Sequence, residues 1–400
     1  MIKKKLASNN TIIDLGMHPY ADTFINKNQI NKSEPIYPLK CILDAKTGMI
    51  SNLIKTNDSE RYNLYDYSYT SSNSFYSRNY WKSYFKDISA KINISNNTKV
   101  LEIGSNDGYL LSLFKKKTKK VIGVDASKTM CKIAQINNNI KTLNLIMNKV
   151  NGKHIQKKHG KFDLIIANNV INHANNVDDF IKGIKGLMHK DSIFVFEVPY
   201  WLDLVTKKKF DQIYHEHISY FTAKFSKNIL KENNMYISRI QKTEYHGGSI
   251  RVFSNKIQNS KIKKNYHLSK MIDLEERKKL FSKDYYKIFM KDVNKKKYRL
   301  LKKILIYKLK GYSIVGIGAA AKANTFINFL GLNGLVVDFI TDASKFKIGK
   351  LTPLSRIPIY NDNRLKNITK VCVIFFAWNI SHILKKKIQK INKKAIFLNF

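Results

Sequence analysis

Between residues 99 and 199 apolar strands and amphipathic helices alternate without interruption, and this alternation constrains the fold more than any other feature. "KVLEIGS" reads as a strand, "GYLLSLFKKKT" as a helix, "KVIGVDAS" as a strand and "SKTMCKIAQIN" as a helix. "FDLIIANNV", "VDDFIKGIKGLM" and "DSIFVFEVP" continue the pattern as strand, helix and strand. Strands this rich in Val and Ile, repeating with helices, fit a parallel, doubly wound α/β sheet covered on both faces. A shorter copy of the pattern, "YSIVGIGAAAKANTFINFLG", "VDFITDAS" and "KVCVIFFAWNI", closes the chain and predicts a second Rossmann-like unit. Ahead of both, short alternating segments with turn residues predict a small β-rich unit. "FYSRNYWKSYFKDISAKINI" reads as an amphipathic helix, and residues 264–310 as a long helical segment. The expected division is 1–72 (small N-terminal domain), 73–260 (central α/β domain) and 261–400 (helical connection and C-terminal Rossmann-like domain).

The first strand–loop–helix carries Glu102, Gly104 and Gly108 as E-x-G-x-x-x-G, not the dinucleotide G-x-G-x-x-G. Glycine lets such a loop approach a ligand without a Cβ in the way. Asp125, ending the next strand about twenty residues on, can accept both hydroxyls of a ribose. This pattern lacks the third, phosphate-seeking glycine and suits S-adenosylmethionine (SAM), which has a ribose and an amino-acid tail but no pyrophosphate. Ser105 and Asn106 in the loop, and Asn168 at the end of a later strand, join the expected cofactor residues. A purely structural glycine turn is the bland alternative.

The chemistry-bearing stretch is "DQIYHEHISYF", residues 211–221. With "NNVINHANN" it brings up to three imidazoles, including His173 and His217, together with Tyr214 and Glu216, to the rim where ligands of such sheets bind. The H-x-H spacing is compatible with a metal pair, but no third ligand at suitable spacing is evident. The acid–base reading fits better: a base near neutrality removes a proton next to a carbonyl, and neighbouring Tyr, His and Glu hold the enolate. "YHGGSIRVF" offers Ser249 and Arg251 as a grip on a hydroxyl or phosphate. "GIGAAAKANTF" places Lys322 and Asn324 at a helix start suited to an anion.

A formal charge of +43 raises nucleic acid as a partner, but of 72 basic residues only eight are arginine. Base and bidentate phosphate readout favour arginine, and the lysines are spread along the whole chain beside abundant Ile and Asn. A nucleic-acid partner is therefore not expected. Cys41, Cys131 and Cys372 are far apart, as befits a reducing compartment without a disulfide framework. "MIKKKLASNN" has no apolar stretch after it, and no apolar run approaches 18 residues, so a cytoplasmic protein without a membrane partner is expected.

Taken together, "HPYADTF", "YPLK", "YDYSYTSSNS", "VLEIGSNDGYLL", "NNVINHANNVDDF", "IYHEHISYF", "HGGSIRVF", "GIGAAAKANTFINF" and "KIGKLTPLSRIPI" resemble, in order and over nearly the whole chain, the sugar C-methyltransferases of bacterial deoxysugar pathways. The resemblance implies SAM-dependent methylation of a nucleotide-linked 4-keto-deoxysugar, such as a dTDP-sugar, with the C-terminal unit helping to hold the nucleotide. It implies His217 as the base at sugar C3. Tyr214, Glu216 and His173 would position the sugar and its enolate, with Tyr69 as a further substrate-side phenol. Other methylated acceptors (O or N) and a non-catalytic nucleotide-sugar-binding homologue are the alternatives. The family's N-terminal cysteines that bind zinc are missing: Asp44 and Thr47 stand where a C-x-x-C-G turn would, Gly48 is retained and Cys41 is out of register. Zinc is therefore expected to be absent.

Overall fold

In the computed structural model, residues 10–57, 70–72, 74–256, 265–376, 381–398 and 400 are described. The central unit is a seven-stranded sheet. Four strands carry its front half: β4 (Val100–Ile103), β5 (Val121–Asp125), β6 (Thr142–Asn144) and β7 (Phe162–Asn168). The rest is β8 (Met188–Pro199), β10 (Tyr236–Thr243) and β11 (Ser249–Asn255). Their order is β10-β11-β8-β7-β4-β5-β6, parallel except that β11 runs against both of its neighbours. Central strands with wholly apolar runs, such as "LIIA" in β7, are buried on both faces, as the sequence pattern requires.

Five helices of this unit concern the site: α1 (Phe75–Lys91), α2 (Tyr109–Phe114), α3 (Lys128–Asn138), α4 (Lys149–His159) and α5 (Val177–Gly186). Their starts are fixed locally. Ser74, Ser127, Asn148 and Asn176 each accept a hydrogen bond from the backbone N–H three residues on, the usual N-cap device. Beyond β8 come α6 (Trp201–Thr206) and α7 (Ala223–Glu232), the latter capped by Thr222.

The N-terminal sheet contains β1 (Thr11–Pro19), β2 (Ile36–Asp44) and β3 (Met49–Asn52), antiparallel in sequence. Its fourth strand, β9 (Ser219–Tyr220), comes from the segment just after "YHEH" and pairs with β3 at Ile50 and Ser51. The N-terminal unit is thus not self-contained, unlike the expected 1–72 division. At its β2–β3 turn Asp44 accepts hydrogen bonds from the N–H groups of Lys46 and Thr47 and from the Thr47 hydroxyl. Side-chain hydrogen bonds close the turn that zinc-binding cysteines would occupy in the family's pattern.

The expected helical connection is two helices, α8 (Tyr266–Arg277) and α9 (Lys283–Leu309). They lead into a five-stranded sheet that is parallel throughout. Its order is β14 (Ile359–Tyr360), β13 (Phe339–Thr341), β12 (Ser313–Ile317), β15 (Val371–Phe375) and β16 (Ile396–Leu398). Helix α10 (Ala321–Leu330) follows β12, and α11 (Ser381–Ile391) precedes β16. Among the described residues no helix is long and apolar enough to cross a membrane.

Glu275 of α8 ties the connection to the central unit. It is fully buried, accepts from the N–H groups of Ala223 and Lys224 at the start of α7, and takes the Tyr200 hydroxyl. Substitution Glu275→Leu orphans two buried N–H groups and a hydroxyl, so urea unfolding should show a loss of about 3 kcal/mol.

Candidate active site

The three sheets meet around one cavity of about 890 Å³. Its floor is the carboxyl edge of the central sheet, where ligands of open α/β sheets bind. The loop after β4 is built by backbone geometry. Gly104 has φ +69°, and a Cβ there would stand 2.9 Å from the Val170 Cβ. Gly108 has φ +75°, and its Cβ would press on Ala134 and Ile140 at 3.1 Å. Both conformations favour glycine, but the close neighbours are protein side chains. Gly104 lines the cavity and also lets the loop pack under Val170, while Gly108 lets it pack against α3.

The loop is anchored at both ends by carboxylates. Asp125 Oδ2 accepts from the Asn106 N–H (2.8 Å) and Oδ1 from the Ser127 N–H (2.8 Å). Burial pushes its carboxyl up to about 6 against the lowering effect of those two bonds. Buried Asp107 accepts from the Ser71 and Ser72 hydroxyls and the Ser72 N–H, and Asn106 Oδ1 takes the Ser71 N–H. Residues 70–72 thereby strap across the loop, an arrangement unread from the sequence although "TSS" follows the quoted tyrosine motif.

The cavity floor fits SAM. Glu102, Ser105, Asn106, Asp125 and Asn168 all line it. Glu102 Oε2, the Ser105 hydroxyl and the Asn168 amide are buried without hydrogen-bond partners among the described residues. Buried polar atoms are rarely left so, and these three point to a polar ligand. Burial raises the Glu102 carboxyl well above its usual range, and the carboxylates of Asp107 and Asp125 add to that rise. A cationic or hydrogen-bond-donating ligand relieves this crowding, and the amino-acid tail and ribose of SAM offer such donors.

At the cavity's upper rim sits the loop 212–217. His217 is 7% exposed. Its Nδ1 lies 2.9 Å from the Gln212 carbonyl, and its Nε2 lies 2.6 Å from the Tyr214 hydroxyl. A carbonyl oxygen only accepts, so Nδ1 carries the proton and Nε2 keeps its lone pair, which takes the Tyr214 O–H. Burial lowers the imidazole to about 4. His217 is therefore neutral, with a fixed tautomer, at ordinary pH. The His173 ring stands edge-on to it, with centroids 4.9 Å apart. Glu216 Oε1 accepts the N–H groups of Ala21 (2.9 Å) and Asp22 (3.1 Å), while Oε2 has no partner among the described residues. Burial pushes this carboxyl up to about 7 against those bonds. Tyr214, Glu216, His217 and His173 all line the cavity.

Other expected members lie elsewhere. His215 is fully buried, with Nε2 on the Tyr37 carbonyl and its ring against Tyr20 and Tyr37, so two imidazoles rather than three reach the crevice. The substrate role expected of Ser249 and Arg251 is corrected. Ser249 is fully buried and donates to the Tyr245 carbonyl. Arg251 is 3% exposed and committed to Glu197 (2.7 Å), Asp87 and the Tyr80 hydroxyl beneath the sheet. Lys322 lines the cavity, but Asn324 does not. Asn324 is buried and donates to the Ala21 carbonyl, joining α10 to the N-terminal unit. Tyr69 lies outside the described residues.

The wall opposite the central sheet belongs to the C-terminal unit. Asp342, ending β13, accepts from the Ala319 N–H (2.7 Å) and the Ser344 N–H (2.8 Å), the device Asp125 uses after β5. Lys322, Lys345 and Lys387 line this wall, with Lys387 paired to Asp362.

Residues 74–238 match the family model for a methyltransferase domain, and residues 244–398 the one for a C-methyltransferase C-terminal domain. The second match begins inside the central unit, so that β11 belongs to it. The chain is 25% identical to C-methyltransferase NovU of Streptomyces niveus over 289 residues, covering 72% of this chain and 68% of that one. It is 33% identical over 97 residues to a ubiquinone biosynthesis O-methyltransferase of Pelagibacter ubique, covering 24% of this chain and 40% of that one. Among solved structures, magnesium protoporphyrin IX methyltransferase of Synechocystis, with bound SAH, aligns over 46% of this chain and 88% of its own, at 18% identity and a TM-score of 0.37.

Two variants check this geometry. Arg251→Met strands the Glu197 carboxylate in the core, which costs about 3–5 kcal/mol. Chemical denaturation should register that loss, while the folded fraction keeps its SAM affinity in calorimetry. Asp125→Ala orphans the Asn106 and Ser127 N–H groups, so it should lower stability by about 1–3 kcal/mol and weaken SAM binding of the folded fraction at least about tenfold, equivalent to about 1.4 kcal/mol.

Proposed function

The chain is a SAM-dependent methyltransferase with a C-methyltransferase C-terminal domain, and we propose that its acceptor is the carbon next to the ketone of a nucleotide-linked 4-keto-deoxysugar, with a dTDP-sugar as first choice. One observation carries the reading. A neutral imidazole whose Nε2 accepts the Tyr214 hydroxyl stands beside a carboxyl pushed up to about 7, in the cavity that the cofactor residues floor. A hydroxyl acceptor needs only a base, whereas a carbon acceptor also needs donors for the enolate oxygen, and Tyr214 and Glu216 offer them. The lysine-bearing C-terminal wall, with Lys322, Lys345 and Lys387, supports a diphosphate end, and Asp342 supports a ribose.

When bound, SAM supplies a methyl group already activated by its sulfonium. The protein's part is proton chemistry and positioning. As the substrate enters, the Tyr214 hydroxyl turns from Nε2 to the ketone oxygen. His217 Nε2 takes the C3 proton, and the C–H electron pair becomes the C3–C4 π bond of the enolate, with negative charge on O4 held by Tyr214 and by protonated Glu216. Glu102, Ser105, Asn106, Asp125 and Asn168 would hold the SAM that supplies the methyl group to the enolate carbon, with S-adenosylhomocysteine as the leaving group and the ketone restored, and His217 returns its proton to solvent. Holding the reactants together in this way accounts for a large share of such rate enhancements. His173, against the His217 ring, keeps the imidazole plane facing the cavity.

The protonation states give a signed pH prediction. His217 is active when neutral, so its limb lies near 4 and the rate is flat above about 5 on its account. Glu216 donates only when protonated, so activity falls as pH rises through about 7. In Glu216→Gln the amide oxygen still accepts from residues 21 and 22 and its NH2 still donates. The pH–kcat/KM profile should lose the alkaline limb while retaining at least about a tenth of the activity.

The reaction itself is tested with methyl-labelled SAM and a dTDP-4-keto-6-deoxysugar, with the product read by NMR. A methyl group bonded to carbon, lost at least about 10³-fold in His217→Ala, is the expected outcome. A methyl group on oxygen, or turnover intact without His217, overturns the reading.

A further inference from the structure

The Tyr214–His217 segment is held chiefly by the N-terminal unit rather than by the sheet that would bind the cofactor. Glu216 hangs on the N–H groups of residues 21 and 22, and His215 on the Tyr37 carbonyl. The most concentrated attachment is Asn52, the last residue of β3, which is 2% exposed. Its Nδ2 donates at once to the carbonyls of Tyr214 and of His217, each at 3.0 Å. Its Oδ1 accepts the Tyr220 hydroxyl at 3.3 Å, and its backbone N–H donates to the Ile218 carbonyl at 2.9 Å. One amide therefore spans the two ends of the turn in which the Tyr214 hydroxyl meets His217 Nε2. Asn52 itself does not line the cavity.

We propose that Asn52 is a positioning residue, whose carboxamide sets the separation of the Tyr214 and His217 backbones and so holds the phenol–imidazole pair in its reactive geometry. A side-chain amide suits this task because its two N–H groups diverge and can reach two carbonyls together. The Tyr214 carbonyl also accepts the His217 N–H at 3.0 Å, and the carboxamide adds to this backbone bond by tying the Tyr214 and His217 carbonyls to one group. The groups packed on the His217 ring come from two segments, Tyr214 and Tyr220 from its own stretch and His173 from the loop after β7. Asn52 bonds to the backbone on both sides of the pair.

The inference rests on the proposed acid–base role of His217, and its test has one arm that needs no sugar substrate. Asn52→Leu has nearly the same shape and removes both donors. In the full-length chain with labelled histidine, NMR titration follows the His217 imidazole, identified by its absence from a His217→Gln sample. The expected result is a His217 that titrates at least one pH unit higher than in the wild-type chain, as the opened turn admits water, with SAM affinity unchanged within about twofold. In the sugar assay kcat should fall about 100-fold, as misplacement near 1 Å does, with KM for SAM unchanged. Asn52→Asp, which turns an acceptor toward both carbonyls, should lose at least as much. An unmoved His217 titration in Asn52→Leu overturns the proposal, whatever the sugar assay shows. Loss of SAM binding or of cooperative melting in both variants overturns it too, because Asn52 would then be a general folding residue. A wild-type chain without sugar turnover counts against the proposed reaction alone, since the titration still decides the role of Asn52.

Discussion

The hydrogen bond from His217 Nδ1 to the Gln212 carbonyl is the interaction on which the proposed chemistry of this chain depends. Without it either ring nitrogen could hold the proton, and a buried imidazole of undefined tautomer is a poor base. With it, Nε2 is committed to the cavity side as an acceptor, where Tyr214 already meets it. The bond is local, five residues apart, but the turn that makes it possible is not. That turn is fixed by contacts from residues 21, 22, 37 and 52, so the geometry of the proposed base is set by the N-terminal unit.

This dependence explains the architecture. The central sheet supplies the floor of the cavity, with its orphaned polar atoms and its raised carboxyls. The N-terminal sheet borrows β9 from the segment after the catalytic turn and so cannot shift without moving it. The C-terminal sheet repeats, at Asp342, the loop anchoring that Asp125 gives the first, and brings lysines to the far wall. Asn324 and Thr325 of α10 bond the carbonyls of Ala21 and Ile213, closing a ring of contacts through all three units. Hydrogen bonds at Asp44 and Thr47, with β-pairing to β9, hold the N-terminal turn where the family's pattern calls for cysteines.

Much of the fold was legible because its signals are periodic or local. Apolar strand runs, amphipathic helix spacing and the Gly-bearing strand–loop–helix turn each follow from a few neighbouring residues. The Glu102–Asp125 loop and the cavity position of Tyr214, Glu216 and His217 were legible for the same reason, since short stretches at strand ends face the rim. Pairings over long sequence distances were not. Nothing around Arg251 announces that Glu197 and Asp87 await it, so a basic residue after two glycines read as a substrate grip when it is an interior ion pair. His215 and His217 look alike in "HEH", and the packing of His215 against Tyr20 and Tyr37 separates it from the imidazole that lines the cavity. Asn52 carries no motif at all. Its role lies in bonds spanning more than 160 residues.

The central claim is that His217 removes a proton from carbon before any methyl group moves. The most direct test incubates the enzyme in deuterium oxide with the dTDP-4-keto-sugar and S-adenosylhomocysteine, which cannot donate a methyl group, and follows the C3 proton by NMR. The account predicts loss of the C3 signal at a rate comparable to turnover in the wild-type chain and no loss above background in His217→Ala. Exchange that persists in the His217→Ala variant, or methyl transfer to carbon by the wild-type chain with no C3 exchange under these conditions, would contradict it.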